Sequence, residues 1–178
     1  AARVDAAGDL VLLADQDRRL WDHEAIGEAA ELVEATLRRR RPGPYQLQAA
    51  IAVLHGLAPS FTETDWPQIA ELYQALESHQ PTAVVRVNRA VAEAEVHGPA
   101  TGLELLDELA SATSLAGADQ IDRWHLHWST RADLLRRLGR LTEAAESYER
   151  ALTCPTNDSD QRFLLRRLDE LHAEPRSH

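Results

Sequence analysis

The sequence predicts an all-α protein whose helices, about eight in number, form antiparallel pairs stacked as a short α-solenoid. Apolar residues recur with helical spacing along most of the 178 residues. Short segments containing Pro or Gly separate these periodic stretches, as expected for closely spaced helices. A segment near the C-terminus has the pattern of a helix-pair repeat, and a weaker copy precedes it.

The first 22 residues are predicted to form an arm packed on the helices. Its apolar run, residues 9–13, is too short to distinguish a strand from a helix, and no second strand candidate follows. Asp22 is an expected N-cap, as is either Thr64 or Asp65, and Pro44 suits a first helical position. The predicted helices cover residues 23–39, 44–57, 66–79, 82–97, 99–112, 119–138, 142–153 and 159–172.

Residues 125–156 match a tetratricopeptide (TPR) unit. The matching positions are Trp128, Ala132, Leu135, Gly139, Ala144, Tyr148 and Ala151. Shifting by 42 residues gives a degenerate copy at Ala90, Gly102, Leu106 and Leu109, with His97 in place of the turn glycine. The predicted organisation is therefore an arm (1–22), a divergent helical front half (23–80), two TPR-like pairs with a C-terminal helix (81–172) and a frayed tail (173–178).

Composition argues against nucleic-acid binding by this chain, because its net charge is −10 and phosphate contacts need a basic face. The single Cys154 excludes an internal disulfide and fits a reducing cytoplasm. No apolar run approaches the roughly 20 residues that span a bilayer. Since the chain has no Met and begins with Ala1, we expect it to be part of a longer protein.

The search for chemistry predicts neither an enzyme nor a metal or cofactor site. His125 and His127 are two residues apart and point about 200° apart on a helix, so they cannot share one ion. Asp15 and Asp17 resemble a metal-binding Asp-x-Asp pair, but no nucleotide-binding loop accompanies them, which favours a polar arm. The possible nucleophiles Ser129, Thr130 and Cys154 have no His at a recognisable spacing.

Two polar features have alternative interpretations. The basic run Arg38–Arg41 suits a helix C-terminus, or else contacts an acidic partner or phosphate. Asn88 and Arg89 lie within a predicted helix, where Asn has low propensity. They either make a buried hydrogen bond to a loop or line a ligand groove.

Residues 41–55 form a rigid turn, with Pro42, Gly43 and Pro44, that leads into a largely apolar helix. Tyr45, Gln46 and Gln48 occupy the first turns of this helix, where core packing does not require them. Several other blocks accompany this segment in order. They are 12–21, Thr64–Trp66 with Leu72–Tyr73, Asn88–Ala92, Gly98–Pro99 and Arg131–Gly139 with Ala144–Tyr148.

Together these blocks closely resemble the TPR-like C-terminal extension of a group of bacterial extracytoplasmic-function (ECF) RNA polymerase sigma factors. The resemblance implies a cytoplasmic domain that controls sigma-dependent transcription initiation, in place of a separate anti-sigma factor. Its implied partners are the protein's own sigma domains, the RNA polymerase core or a regulatory protein. The promoter-reading domains are not in these residues, so direct nucleic-acid binding is not expected, and neither is a membrane or a cofactor.

The expected interaction surface combines polar residues of the arm, the turn and the fourth helix. Its members are Asp15, Gln16, Asp17, Arg18, Trp21, Arg41, Tyr45, Gln46, Gln48, Asn88 and Arg89. One alternative is a stand-alone TPR-like adaptor that binds a peptide, which a start codon directly before Ala1 would favour. Another is an enzyme or small-ligand sensor, which requires a pocket where Asp15, Asp17 and a His converge.

Overall fold

The computed structural model describes residue 5 and residues 9–38, 42–111 and 116–173, and it confirms an all-α fold. Within these residues, two 3₁₀ helices span Arg18–Leu20 and Ala118–Arg123. The α-helices in the described residues are α1 His23–Leu37, α2 Pro44–Leu57, α3 Trp66–His79, α4 Ala83–His97, α5 Pro99–Ser111, α6 His125–Arg137, α7 Leu141–Leu152 and α8 Asp158–Ala173. None of these helices is long and apolar enough to cross a membrane. The predicted frayed tail beyond residue 173 lies outside the described residues.

Side-chain caps fix several helix starts where the sequence predicts them. Asp22 accepts a hydrogen bond from the backbone N–H of Ala25 at the start of α1. Asp65, rather than Thr64, caps α3 by accepting from the N–H of Gln68. Each cap satisfies one of the donors that a helix start leaves unpaired.

The sixth helix is shorter than predicted. Residues 118–123 form a 3₁₀ helix and Trp124 is extended, so α6 begins at His125 instead of residue 119. The break places Ile121 in the core, where it is buried. It also leaves the carbonyl of Asp122 free to accept a hydrogen bond from the Trp128 indole at 3.1 Å.

Consecutive helices pack against each other, and α4–α5 and α6–α7 form the two most extensive pairs. Helix α4 also contacts α6, which stacks the second pair on the first. The equivalent positions of the two predicted repeat units are buried in both. They are Ala90 and Ala132, Gly102 and Ala144, Leu106 and Tyr148, and Leu109 and Ala151.

The structure differs from the predicted repeat in the position of the turn glycine of the first unit. Gly139 turns the second unit with a φ of 74°, as predicted. In the first unit the turn glycine is present but one residue later than the alignment places it, at Gly98, with a φ of 93°. Glycine adopts this left-handed backbone without the steric cost that a side chain brings.

Two hydrophobic clusters form the core of the part of the chain that the structure describes. The larger joins α4 to α8, and the smaller joins α2, α3 and α4. Helix α4 contributes to both, with Val85 and Ala92 in the smaller cluster and Val87 and Ala90 in the larger one. Helix α4 therefore packs against both the divergent front half and the repeats.

Candidate functional site

A groove of about 640 Å³ lies between the arm and the helices α4, α6, α7 and α8. Its walls are largely apolar, with Val91 of α4, Leu126 and Leu134 of α6, and Phe163 and Leu164 of α8. Phe61 and Trp66 also line it, as do Leu10, Leu12 and Leu13 of the arm. A concave apolar site of this volume suits a small ligand or a few peptide residues.

Charged side chains line the groove mostly as ion pairs. These pairs are Arg137 with Glu95 at 2.6 Å and Arg136 with Asp133 at 2.8 Å, and the Nε2 of His125 lies 3.3 Å from a carboxylate oxygen of Asp160. The Nε of Arg136 is buried without a hydrogen-bond partner among the described residues. The groove thus combines an apolar wall with charged groups that mostly pair with one another, which suits binding of a mostly apolar segment.

Arg18 fastens the arm to the C-terminal end of α2. Its Nη1 donates to the carbonyl oxygens of His55 and Ala58, both at 2.7 Å, and its guanidinium lies 4.9 Å from the Trp21 ring centroid. These carbonyls belong to a helix end, which needs donors from outside the helix. Arg18 is buried, so its predicted place on an interaction surface is wrong. Trp21 is half-buried beside it.

The other polar residues of the arm mostly stabilise the arm itself. Gln16 donates to the carbonyl of Val11, and Asp17 caps the first 3₁₀ helix and pairs with Arg19 at 2.8 Å. Hydrogen bonds from the side chain and backbone of Arg19 lower the pKa of Asp17 to about 2. Asp15 is exposed and lines the groove.

The predicted residues of α2 have separate roles. Gln46 accepts a hydrogen bond from the N–H of Gly43 at 3.1 Å, so it caps its own helix. Gln48 bonds to Gln80 at 3.0 Å, which links α2 to the end of α3. Tyr45 is 78% exposed and is therefore accessible to a partner. Arg41 lies outside the described residues.

Arg89 belongs to an ion-pair network between α3 and α4. The buried carboxylate of Glu77 accepts from Arg89 at 3.1 Å and from Arg86 at 2.6 Å. Asn88 is exposed on α4, so the interpretation of a buried hydrogen bond is wrong for this residue. Neither Asn88 nor Arg89 lines the groove described above.

The structure does not bring the predicted surface together as one patch. The arm meets the C-terminal end of α2, whereas Tyr45 and Gln48 lie near its start, roughly 10–15 Å away along the helix axis. Sequence reasoning also missed the groove. Its signal was the polar residues on one face of α6, at 125, 129, 133 and 136, which recur with helical spacing.

A second, polar pocket of about 420 Å³ contains His127, Asp107, Arg131 and Glu143. His127 is 3% exposed, and its Nδ1 has no hydrogen-bond partner among the described residues. Burial, followed by the charge of Arg131, lowers the pKa of His127 to about 4. The imidazole is therefore neutral near pH 7.

The described residues contain no group of three or more His, Cys, Asp or Glu side chains placed to hold a metal ion. Asp15 and His125 do line the same groove, but Asp17 is paired with Arg19 and does not. Burial raises the pKa of the Cys154 thiol, which disfavours its reactive thiolate. The Ser129 hydroxyl donates to the carbonyl of Leu126. An enzyme or sensor site requires Asp15, Asp17 and a His in one pocket. The groove brings together Asp15 and His125 but not Asp17.

Comparison with known proteins gives two matches. A family of unknown function (DUF6596) matches residues 1–37, which include the described part of the arm and α1. An uncharacterized protein of Rhizobium meliloti (strain 1021) is 44% identical over 174 residues, which cover 98% of this chain and 39% of that protein. The chain thus spans about two fifths of the length of this relative. No solved structure matches the chain.

Proposed function

We propose that this chain is the C-terminal regulatory domain of a cytoplasmic ECF sigma factor, and that it controls sigma-dependent transcription through protein–protein contacts. Its partners are the sigma domains of the same protein, the RNA polymerase core, or both. The resemblance of the ordered sequence blocks to such extensions supports this proposal. The greater length of the Rhizobium relative is consistent with further domains beside this one.

The observation that carries the proposal is the set of exposed apolar side chains on the α1–α2 hairpin. Helix α1 has no buried residue among those whose side chains are described. Leu32 is 69% exposed, and Tyr45 and Leu57 are also exposed. Exposed apolar side chains on a helix pair favour a covering partner.

We expect the double substitution Leu32→Ser and Tyr45→Ser in the full-length protein to change transcription from its target promoter by about fivefold or more, because a lost contact of ~1 kcal/mol already gives that factor. An increase would mean that the hairpin restrains the sigma domains, and a decrease would mean that it supports polymerase binding. A reporter assay with protein levels checked by immunoblot measures this effect.

The matched control replaces two exposed apolar residues outside the hairpin, Val84→Ser and Leu165→Ser. We expect this control to stay within about twofold of the wild type, since surface substitutions away from an interface have small effects. Equal transcription from the hairpin variant, the control and the wild type would contradict the surface assignment.

The second candidate function is a stand-alone TPR-like adaptor that binds a peptide. The groove between α4, α6 and α8 favours it, because such arrays use concave surfaces for binding. The same reporter assay separates the two candidates, since an adaptor has no promoter whose transcription responds to the hairpin.

A further inference from the structure

The polar pocket of about 420 Å³ lies where the α6–α7 pair meets α5 and the 3₁₀ segment before α6. Among the described residues, the charged groups that line it are the carboxylates of Asp107, Asp122, Glu143 and Glu146 and the guanidinium groups of Arg131 and Arg150. The imidazole of His127, which is neutral near pH 7, adds no charge. The pocket lining therefore carries a net negative charge.

Two of these carboxylates have no partner within the described part of the chain. The other two are engaged in ion pairs, Asp107 with Arg131 and Glu143 with Arg140. Asp122 and Glu146 make no side-chain hydrogen bond or ion pair with a described residue, and both are exposed. The negative charge that is available to a ligand is thus concentrated on these two side chains.

His127 gives a second, independent indication of a ligand. Its side chain is 3% exposed, its Nδ1 is buried without a hydrogen-bond partner, and its Nε2 makes no hydrogen bond with a described residue either. Buried polar groups in folded proteins are nearly always hydrogen-bonded, because an unpaired one costs free energy. A molecule bound in the pocket that His127 lines would supply the partner that the protein does not.

We propose that this pocket binds a small organic ammonium ion, held by the carboxylates of Asp122 and Glu146 and by a hydrogen bond to the imidazole of His127. A primary ammonium group offers only N–H donors, and carboxylates and a neutral imidazole nitrogen are acceptors for them. The described residues contain no cluster placed to hold a metal ion, which favours an organic cation. Because two carboxylates are unpaired, a diamine matches the charge of the pocket better than a monoamine.

Other lining residues suit the hydrocarbon part of a diamine. Leu106 and Leu135 are fully buried, and Trp128 lines the same pocket. The face of an indole ring attracts cations, and that of Trp128 already has the guanidinium of Arg150 at 5.6 Å from its centroid. This inference goes beyond the regulatory function proposed above, because the pocket lies on the repeats and does not involve the α1–α2 hairpin.

The test titrates the full-length protein with putrescine, a linear diamine, and measures binding by isothermal titration calorimetry. We expect the double variant Asp122→Asn with Glu146→Gln to bind about fivefold more weakly than the wild type, since two exposed ion pairs of usual strength contribute that factor. Nuclear magnetic resonance of isotope-labelled histidine gives the second readout. The imidazole signal of His127, assigned with His127→Gln, is expected to shift when putrescine is added.

Matched controls separate the pocket from general attraction to an acidic chain. Glu149→Gln with Asp169→Asn removes the same charge from exposed positions outside the pocket, and its affinity is expected to stay within about twofold of wild type because distant charges are screened. The analogue of putrescine with fully methylated ammonium groups keeps the charge but has no N–H donor. It is therefore expected to bind about fivefold more weakly than putrescine.

Three results would overturn the proposal. No measurable binding of putrescine would mean that the pocket is not a site for this class of cation. Equal weakening in the pocket variant and in the control variant would mean that the acidic surface as a whole attracts the diamine. Binding without a shift of the His127 signal would mean that buried water, and not the ligand, is the partner of the imidazole. None of these results affects the transcription assay of the hairpin.

Discussion

Replacing Gly102 with alanine is expected to lower the free energy of unfolding by about 2–3 kcal/mol, which is a typical cost of overpacking a tight helix contact. A Cβ at this position of α5 would lie 2.5 Å from the carbonyl oxygen of Ala90 and 2.8 Å from the Cβ of Ala94. Both belong to the α4 helix itself, so neither can rotate away. The two helices of the first repeat must then separate.

Gly27→Ala is the matched control, because Gly27 also lies within a helix but a Cβ added to it would meet nothing within 4 Å. This change is expected to stabilise the protein by roughly 0.5–1 kcal/mol, the usual gain when a helical glycine becomes alanine. Urea denaturation measures both values. A Gly102→Ala variant as stable as Gly27→Ala would contradict the close packing of α4 and α5.

Acidification from pH 7 to pH 5 is expected to lower the free energy of unfolding by roughly 2 kcal/mol through His127 alone. The pKa of this imidazole is about 4 in the folded protein and 6.5 as an ordinary histidine. Between these values the unfolded state binds a proton that the folded state excludes. This contribution is therefore complete above pH 6.5 and is lost progressively as the pH falls toward 4.

The measurement compares urea denaturation of wild type and His127→Gln at both pH values. The variant cannot be protonated there, so its stability is expected to fall by roughly 2 kcal/mol less than that of wild type over this interval. His79→Gln removes an exposed histidine of α3 and serves as the control for losing one imidazole. If the free energy of unfolding of wild type, His127→Gln and His79→Gln falls by the same amount between pH 7 and pH 5, His127 is not buried in its neutral form.

The helical architecture was predictable because its causes are local. Asp22 and Asp65 cap helices within three residues of themselves, and Pro44 fixes the first turn of α2. The repeat was predictable because Ala132 and Ala144 mark a close helix contact at a known spacing. The start of α6 was not predictable, because the 3₁₀ segment is set by the burial of Ile121 in a core formed by distant residues.

The roles of the polar residues were harder to predict, since they depend on partners far away in the sequence. Arg18 bonds to carbonyls about 40 positions later, and Asp9 meets Arg162 across 153 positions. Nothing local to these residues indicates such pairings. Gln46 is the opposite case, because its bond to Gly43 follows the spacing of a capping box and could have been predicted.

The most direct test of the proposed function is run-off transcription with the purified full-length protein, RNA polymerase core and the promoter of its target gene. We predict that the full-length protein directs initiation at that promoter, while this chain alone neither initiates nor binds the DNA. Absence of promoter-specific transcripts, with a coding region upstream of Ala1 that contains no promoter-reading domains, would contradict the assignment to a sigma factor.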